Sequence, residues 1–535
     1  MAFLPLIVAL IMLLILRQSS LRAGLVMLAT TLLIVRSVPA FFLAGSRIDL
    51  ATEQGVGASL TVLTILGPGL LLYHLIRGAG GFSVAALTLT RLCPDRDLRL
   101  LWLVLGVCPF LEAVSGFGLG IVVIVPLLAE LGCDSAQAAM LGIVGQVTTT
   151  WGAMGVATLL GAQLSGLPAP ILGARSALLL APLSVSAGLL ALVIGGGPRA
   201  VQRAFLPAIL AGSLLALGEW AWSQFPGVDL AGLLASLSVL TGLWLWGWSR
   251  DCQMSWRHRL AVASHVHAHG CSTLAGKGAH PSPKERNVGV PAFWRVLAPY
   301  LFLSCGLLLA HVLCSLLHIS LVLLANPGLW VAGAAGLAWP LLRINVRQGK
   351  TALCRTLRQV VPVAGAVTCF LVVSALMQQS GMTSALGRAA AGLGSSFLWV
   401  VPWLGAFSGW MTGSVVGGNA MFMLMQQTAA ARSHVPADWI VATQNATCSL
   451  GRMLSPTILI LAASTAQLPG GEGYLLRKMG LPIMAAVLVS CLVLVGIVTC
   501  SLIMLALLVV LLLCCAWLLP SVMQGKAPVR AERGV

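Results

Sequence analysis

The chain has 535 residues, 59% of them hydrophobic and only 8% charged, with a mean hydropathy of +0.98. That composition excludes a soluble globular protein of this length. The net charge of +17 comes from 31 Lys and Arg against 14 Asp and Glu, placed mostly in short loops between apolar runs, a pattern that sets orientation in a bilayer rather than binding nucleic acid.

Apolar runs of about 18 residues or more recur from end to end, which predicts an all-α polytopic membrane protein. The short alternating segments of a closed barrel are absent. The first run, 2–16, carries its arginines, Arg17 and Arg22, on its C-terminal side, and so reads as a retained span with its start outside. Spans follow at 23–44 and 56–76, then an interrupted segment at 100–131, then spans at 135–165, 172–196 and 202–222. A linking span at 228–248 leads into a polar loop, 249–293. Further spans are expected at 294–317, 320–342 and 358–379, an interrupted segment at 396–430, and spans at 438–466, 480–498 and 501–519. The total is about 13 transmembrane helices, plus two helical hairpins at 100–131 and 396–430 that enter the membrane and return.

With both hairpins returning, all but six of the 31 Lys and Arg fall on one side, the inside. Arg47, Arg175, Arg388 and Arg432 are expected outside, and Arg36 and Arg452 within spans. The loop "SHVHAHGC", with His265, His267, His269 and Cys271, reads as a solvated linker rather than a metal site, because nothing there fixes a geometry. Most of the 14 cysteines lie in apolar runs, where they behave as small buried hydrophobes.

Shifting the sequence by 299 positions lays "QVTTTWGAM" (Gln146–Met154) over "NATCSLGRM" (Asn445–Met453), and one hairpin over the other. A single span between the halves would invert the second. The expected organisation is therefore a first repeat at 1–222, a linker at 223–293, an inverted second repeat at 294–522 and a basic tail at 523–535. Each half then supplies a hairpin tip and a broken helix whose free backbone N–H groups attract anions.

The polar residues in these breaks are the candidate site. Glu112, in "FLEAVSGFG", is one of very few carboxylates within the apolar layer. It reads either as a protonatable coupling group or as a structural partner for a basic residue. Arg452 reads either as a fork for a substrate carboxylate or as that partner. Ser115, Gly116 and Gly118 form the first tip. Gln146, Thr148, Thr149 and Thr150 lie in the first break, and Asn445, Thr447 and Ser449 in the second. Thr412, Ser414 and Asn419 belong to the second tip. Trp151 is expected to pack, and Glu219 to sit at the interface. No GxxxxGK[ST] or HExxH motif is present, so neither ATP-driven transport nor a zinc enzyme is supported.

At these residues the chain resembles the L-lactate permease family of bacterial proton-coupled carboxylate transporters. The matching stretches are "FLEAVSGFG", "WGAMG" at Trp151–Gly155, "TGSVVGGNAMF" at Thr412–Phe422 and "GRMLSP" at Gly451–Pro456. It departs from the family pattern at Val415, where an Asp is usual, after Leu119, where a Pro is missing, and at Gln146 and Arg452, which stand for Asn and Lys. The resemblance implies a multi-pass protein of the bacterial cytoplasmic membrane that carries a 2-hydroxy monocarboxylate, such as lactate or glycolate, by proton symport. The implied partners are a small organic anion, a proton and the lipid bilayer, with no nucleic acid, no cofactor and no metal; a homodimer stays open. The alternatives are a carrier or exporter of a different organic anion, or a non-transporting membrane sensor.

Overall fold

The computed structural model describes residues 1–12, 16, 18–81, 84, 95–116, 118–251, 293–317, 327–468, 470–501, 503 and 507. The His265–Cys271 loop, the expected span at 501–519 and the basic tail lie outside them, apart from Ser501, Ile503 and Leu507. The described residues are helical and contain no strand. Six helices are long and apolar enough to cross a membrane, and three bent pairs raise this to nine among the described residues, as a multi-pass membrane protein requires.

In chain order the helices are α1 (Leu4–Leu10), α2 (Ser20–Ser37), α3 (Gly45–Gly78), α4 (Arg96–Leu101), α5 (Cys108–Ser115), α6 (Leu119–Glu130), α7 (Ser135–Val144), α8 (Gly152–Ser165), α9 (Ala169–Gln224) and α10 (Val228–Asp251). There follow α11 (Phe293–Leu317), α12 (Pro327–Leu341), α13 (Val346–Gln379), α14 (Met382–Ala391), α15 (Phe397–Thr412), α16 (Val415–Arg432), α17 (Ala437–Met453), α18 (Pro456–Thr465) and α19 (Glu472–Thr499). A wide π turn, Trp102–Val107, joins α4 to α5.

The expected spans at 172–196 and 202–222 form one 56-residue element, α9, broken at Gly197 (φ 69°, ψ −168°) with Pro198 next. Its two arms fold back on each other. A Cβ at Gly188 would meet the Ala208 carbonyl at 2.7 Å, and one at Gly212 would meet Val185 Cα at 2.4 Å, so only glycine permits this approach. Glu219, on the second arm, is fully buried, contrary to the expected interfacial position. Neither of its carboxyl oxygens has a hydrogen-bond partner among the described residues.

Two groups of helices emerge. In one, α13 packs along α3 and α2, with α12 against α3, α11 against α12 and α1 against α2. In the other, the hairpins and bent helices pack with α9, α10 and α19. Each hairpin lies on the bent helix that follows it, α5 and α6 on α8 and α7, and α15 and α16 on α17. Each also reaches across: α16 packs on α8, and α18 on α6 and α7. The groups meet where α3 touches α8 and α13 touches α16.

Candidate functional site

Glu112 is carried by α5, which stops at Gly116 (φ 68°), the acceptor of its last turn being the Glu112 carbonyl at 2.7 Å. The chain turns back through Gly118 (φ 78°), whose N–H donates to Glu112 Oε1 at 3.1 Å. The carboxylate thus caps the tip that it sits in. Its other oxygen, Oε2, accepts from Gln146 Nε2 at 3.4 Å, at the break between α7 and α8.

Arg452 closes the arrangement from the last turn of α17. Its Nη1 lies 3.1 Å from Glu112 Oε1 and donates to Gln146 Oε1 at 3.1 Å, while its Nε donates to the Gly413 carbonyl of the second tip at 3.3 Å. Glu112 and Arg452 are 1% and 7% exposed, so the pair is held in low dielectric. One guanidinium therefore ties both tips and both breaks together.

A cavity of about 410 Å³ opens at this point, between the tips and breaks on one side and α2, α3 and α13 on the other. Its polar wall holds Glu112, Arg452, Thr149, Thr412 and Ser414. Its apolar wall includes Leu66 of α3 and Pro362, Val363, Ala366, Val367 and Phe370 of α13. The Thr149 hydroxyl is buried and has no hydrogen-bond partner among the described residues. Beside it, Ala153 (φ 49°), Met154 (φ 60°) and Gly155 (φ 66°) form a left-handed turn. For the two non-glycine residues this costs about 1–2 kcal/mol each, and such strain collects at functional sites. The first tip rests on this turn: a Cβ on Gly116 would approach Ala153 Cβ to 3.0 Å.

A charged, hydroxyl-lined face opposite an apolar one suits a small amphiphilic anion. The sequence model of the L-lactate permease family matches residues 1–312 and 308–505. The chain belongs to the L-lactate permease family. The L-lactate permease of Salmonella typhimurium is 25% identical over 445 residues, covering 77% of this chain and 80% of the relative. The L-lactate permease of Halalkalibacterium halodurans is 25% identical over 511 residues, covering 89% and 92%. The glycolate permease of Escherichia coli is 23% identical over 523 residues, covering 89% and 91%. These relatives are permeases, and the chain is accordingly a transporter rather than an enzyme.

In this permease the expected site residues divide. Glu112, Gly116, Thr149, Thr412, Ser414 and Arg452 line the cavity, and Gly118 and Gln146 hold Glu112 from behind. Ser414 uses its hydroxyl to cap α16, accepting from Gly417 N at 3.3 Å. Thr412 donates to its own helix, to the Ser408 carbonyl at 2.8 Å. The Ser115 side chain lies outside the described residues.

The others face away. Asn419 Nδ2 donates to Asn445 Oδ1 at 2.8 Å and to the Ala157 carbonyl at 3.1 Å. Asn445 Nδ2 in turn donates to Thr158 Oγ1 and Ser176 Oγ, both at 3.0 Å. This fully buried clasp joins α16, α17, α8 and α9 without lining the cavity. Thr447 and Ser449 bond to carbonyls of their own helix, Thr443 and Ala446. Thr148 and Thr150 are buried within the break, and Trp151 donates to Ser223 Oγ at 3.0 Å. What the sequence did not single out is the Gly413 carbonyl, the Ser19–Leu21 entry to α2 and the apolar wall from α13. The carbonyl belongs to a glycine hairpin, which was a usable signal; the α13 residues resemble any lipid-facing run.

Proposed function

We propose that this permease carries a small monocarboxylate together with a proton across the bacterial cytoplasmic membrane. The observation that carries the reading is the Arg452–Glu112 pair at the cavity wall. A substrate carboxylate that takes Arg452 with two hydrogen bonds must displace one of its present acceptors, and Glu112 is the one whose charge an incoming anion replaces. Glu112, left buried without its cation, then takes up a proton, because an unpaired carboxylate in low dielectric is unstable in its charged form. One cation set against a largely apolar wall favours a monoanion. The Thr149 hydroxyl, unpartnered among the described residues, favours an acid with a hydroxyl beside its carboxylate, and lactate and glycolate, named in the relatives, fit both.

Element order supports two inverted repeats, 1–222 and 294–522, joined by 223–293 and followed by a tail at 523–535. Helices α3 and α13 are both 34 residues long, and each half then gives a hairpin and a bent helix, bent by 64° in the first and 43° in the second. Movement of the hairpin-bearing group against α2, α3 and α13 is the simplest way to expose the cavity alternately to the two sides.

The test is uptake into proteoliposomes of labelled lactate, glycolate, longer 2-hydroxy acids, unsubstituted monocarboxylates and dicarboxylates, with and without a pH gradient. The expected result is accumulation of 2-hydroxy monocarboxylates driven by an acidic exterior. Accumulation driven by sodium alone, or no competition by any monocarboxylate, overturns the reading.

A further inference from the structure

Helix α13 is 34 residues long, about 51 Å at 1.5 Å per residue, against a hydrocarbon core of about 30 Å. Its apolar part, from Val360 onward, suffices to cross the core. The first turns must therefore extend to headgroup depth or beyond.

Those turns are basic. Arg347, Lys350, Arg355 and Arg358 are all exposed, Arg343 lies just before them, and α13 contains no Asp or Glu. Among the described residues no salt bridge joins any of the five to an acidic side chain. The spacing 347, 351, 354 and 358 follows one helical face. That face, with Val346, Lys350, Thr351, Cys354 and Arg355 beside Arg347 and Arg358, forms a shallow open depression along the one helix. Leu353, Leu357 and Val361 stand exposed beside it, at 46%, 51% and 61%. Cations alternating with exposed aliphatic side chains, where a helix leaves the hydrocarbon, meet a lipid on both counts: phosphate at the charged groups and acyl chain at the leucines.

We propose that this stripe binds the phosphate headgroup of anionic phospholipid in the leaflet at the basic side of the protein. The stripe from Arg347 to Arg358 extends about 16 Å along the helix, far more than a small carboxylate needs. Among the described residues it is also open along its length, unlike the cavity at Arg452. Anionic headgroups at a membrane surface attract each nearby Lys or Arg additively.

The experiment measures thermal unfolding of the purified full-length protein in neutral detergent. Additions are phosphatidylglycerol, phosphatidylcholine or inorganic phosphate, with the parent and an Arg347→Gln/Lys350→Gln/Arg358→Gln variant. Arg355 is left in place because it lies near Tyr73 and His74 of α3. Phosphatidylglycerol should stabilise the parent at concentrations about tenfold or more below those needed with the variant, and phosphatidylcholine and inorganic phosphate should not substitute for it. Equal response to the two lipids, an unchanged preference in the variant, or full replacement by inorganic phosphate overturns the proposal. In the parent alone, raising salt to about 1 M, where the screening length falls to about 3 Å, should erase the preference. Persistence of the preference at that salt overturns the proposal even where the variant fails to fold.

Discussion

Arg452 Nη1 and Glu112 Oε1 meet at 3.1 Å from opposite halves of the chain, and Gln146 touches both side chains. Of the two readings that the sequence left open for each residue, the contact realises the structural partner, and the functional one remains a proposal. The partner of each is the other, and the contact lies on the wall where a substrate would compete for it.

Glu112→Gln removes the charge and keeps the shape. The variant should retain exchange of substrate between equal pools and lose accumulation under a pH gradient. Counterflow and gradient-driven uptake in the same proteoliposomes read the two separately. Undiminished accumulation would remove Glu112 from the coupling step.

Arg452→Ala leaves a buried carboxylate unpaired, a loss of about 3–5 kcal/mol. Both stability and binding should fall. Glu112→Gln/Arg452→Ala should recover much of the stability and none of the binding, whereas Arg452→Lys should keep part of the binding because the charge survives without the fork. Thermal unfolding and substrate binding on the three variants make the comparison.

Thr149→Val removes a buried hydroxyl that has no hydrogen-bond partner among the described residues. Stability should stay level or rise. The KM for 2-hydroxy acids should rise by up to about tenfold, the worth of one hydrogen bond, with little change for acids lacking the hydroxyl. An equal change for both classes would place Thr149 outside the recognition of that group.

Asn445→Ala should act on stability. It removes an acceptor from Asn419 and a donor from Thr158 and Ser176, which keep their own bonds to carbonyls, and should cost about 1–3 kcal/mol for the lost hydrogen bonds. The KM of the folded fraction should match the parent. A selective rise in KM with unchanged unfolding would return Asn445 to the substrate site.

The inverted arrangement is tested by Glu130→Cys, at the end of the first hairpin, and Arg432→Cys, at the end of the second. Both positions are exposed. Labelling above the parent background by a membrane-impermeant thiol reagent should come from the inside for residue 130 and the outside for residue 432. Labelling from one side for both would end the inverted reading.

Much of the centre was legible because charge in an apolar run is costly and therefore rare. Glu112 and Arg452 stood out on that ground, as did the glycines that let the tips turn. The spent polar groups were not legible. Asn445 lies two turns from Arg452, about 10 Å along α17, and on nearly the same face, so residue type and periodicity alone cannot tell a cavity residue from a clasp. The α13 wall was hidden for the opposite reason, since Ala366 and Phe370 look the same facing lipid or substrate. Glu219 misled because flanking tryptophans suggested an interface, while in the fold it is fully buried on the second arm of α9, next to Gly218, which abuts Ala235 of α10.

If substrate enters with a proton as proposed, the ion pair also sets a parity on what can move. Empty, the centre sums to zero, with Glu112 cancelling Arg452. Filled by one monoanion and one proton it again sums to zero. With the anion alone the centre is negative; with the proton alone it is positive. Each half-filled form would have to drag a net charge through hydrocarbon. Under the proposed symport the centre would act as a gatekeeper on stoichiometry that needs no separate gate. Leakage of protons without substrate, or of substrate without protons, would then be suppressed by the same contact that joins Arg452 to Glu112.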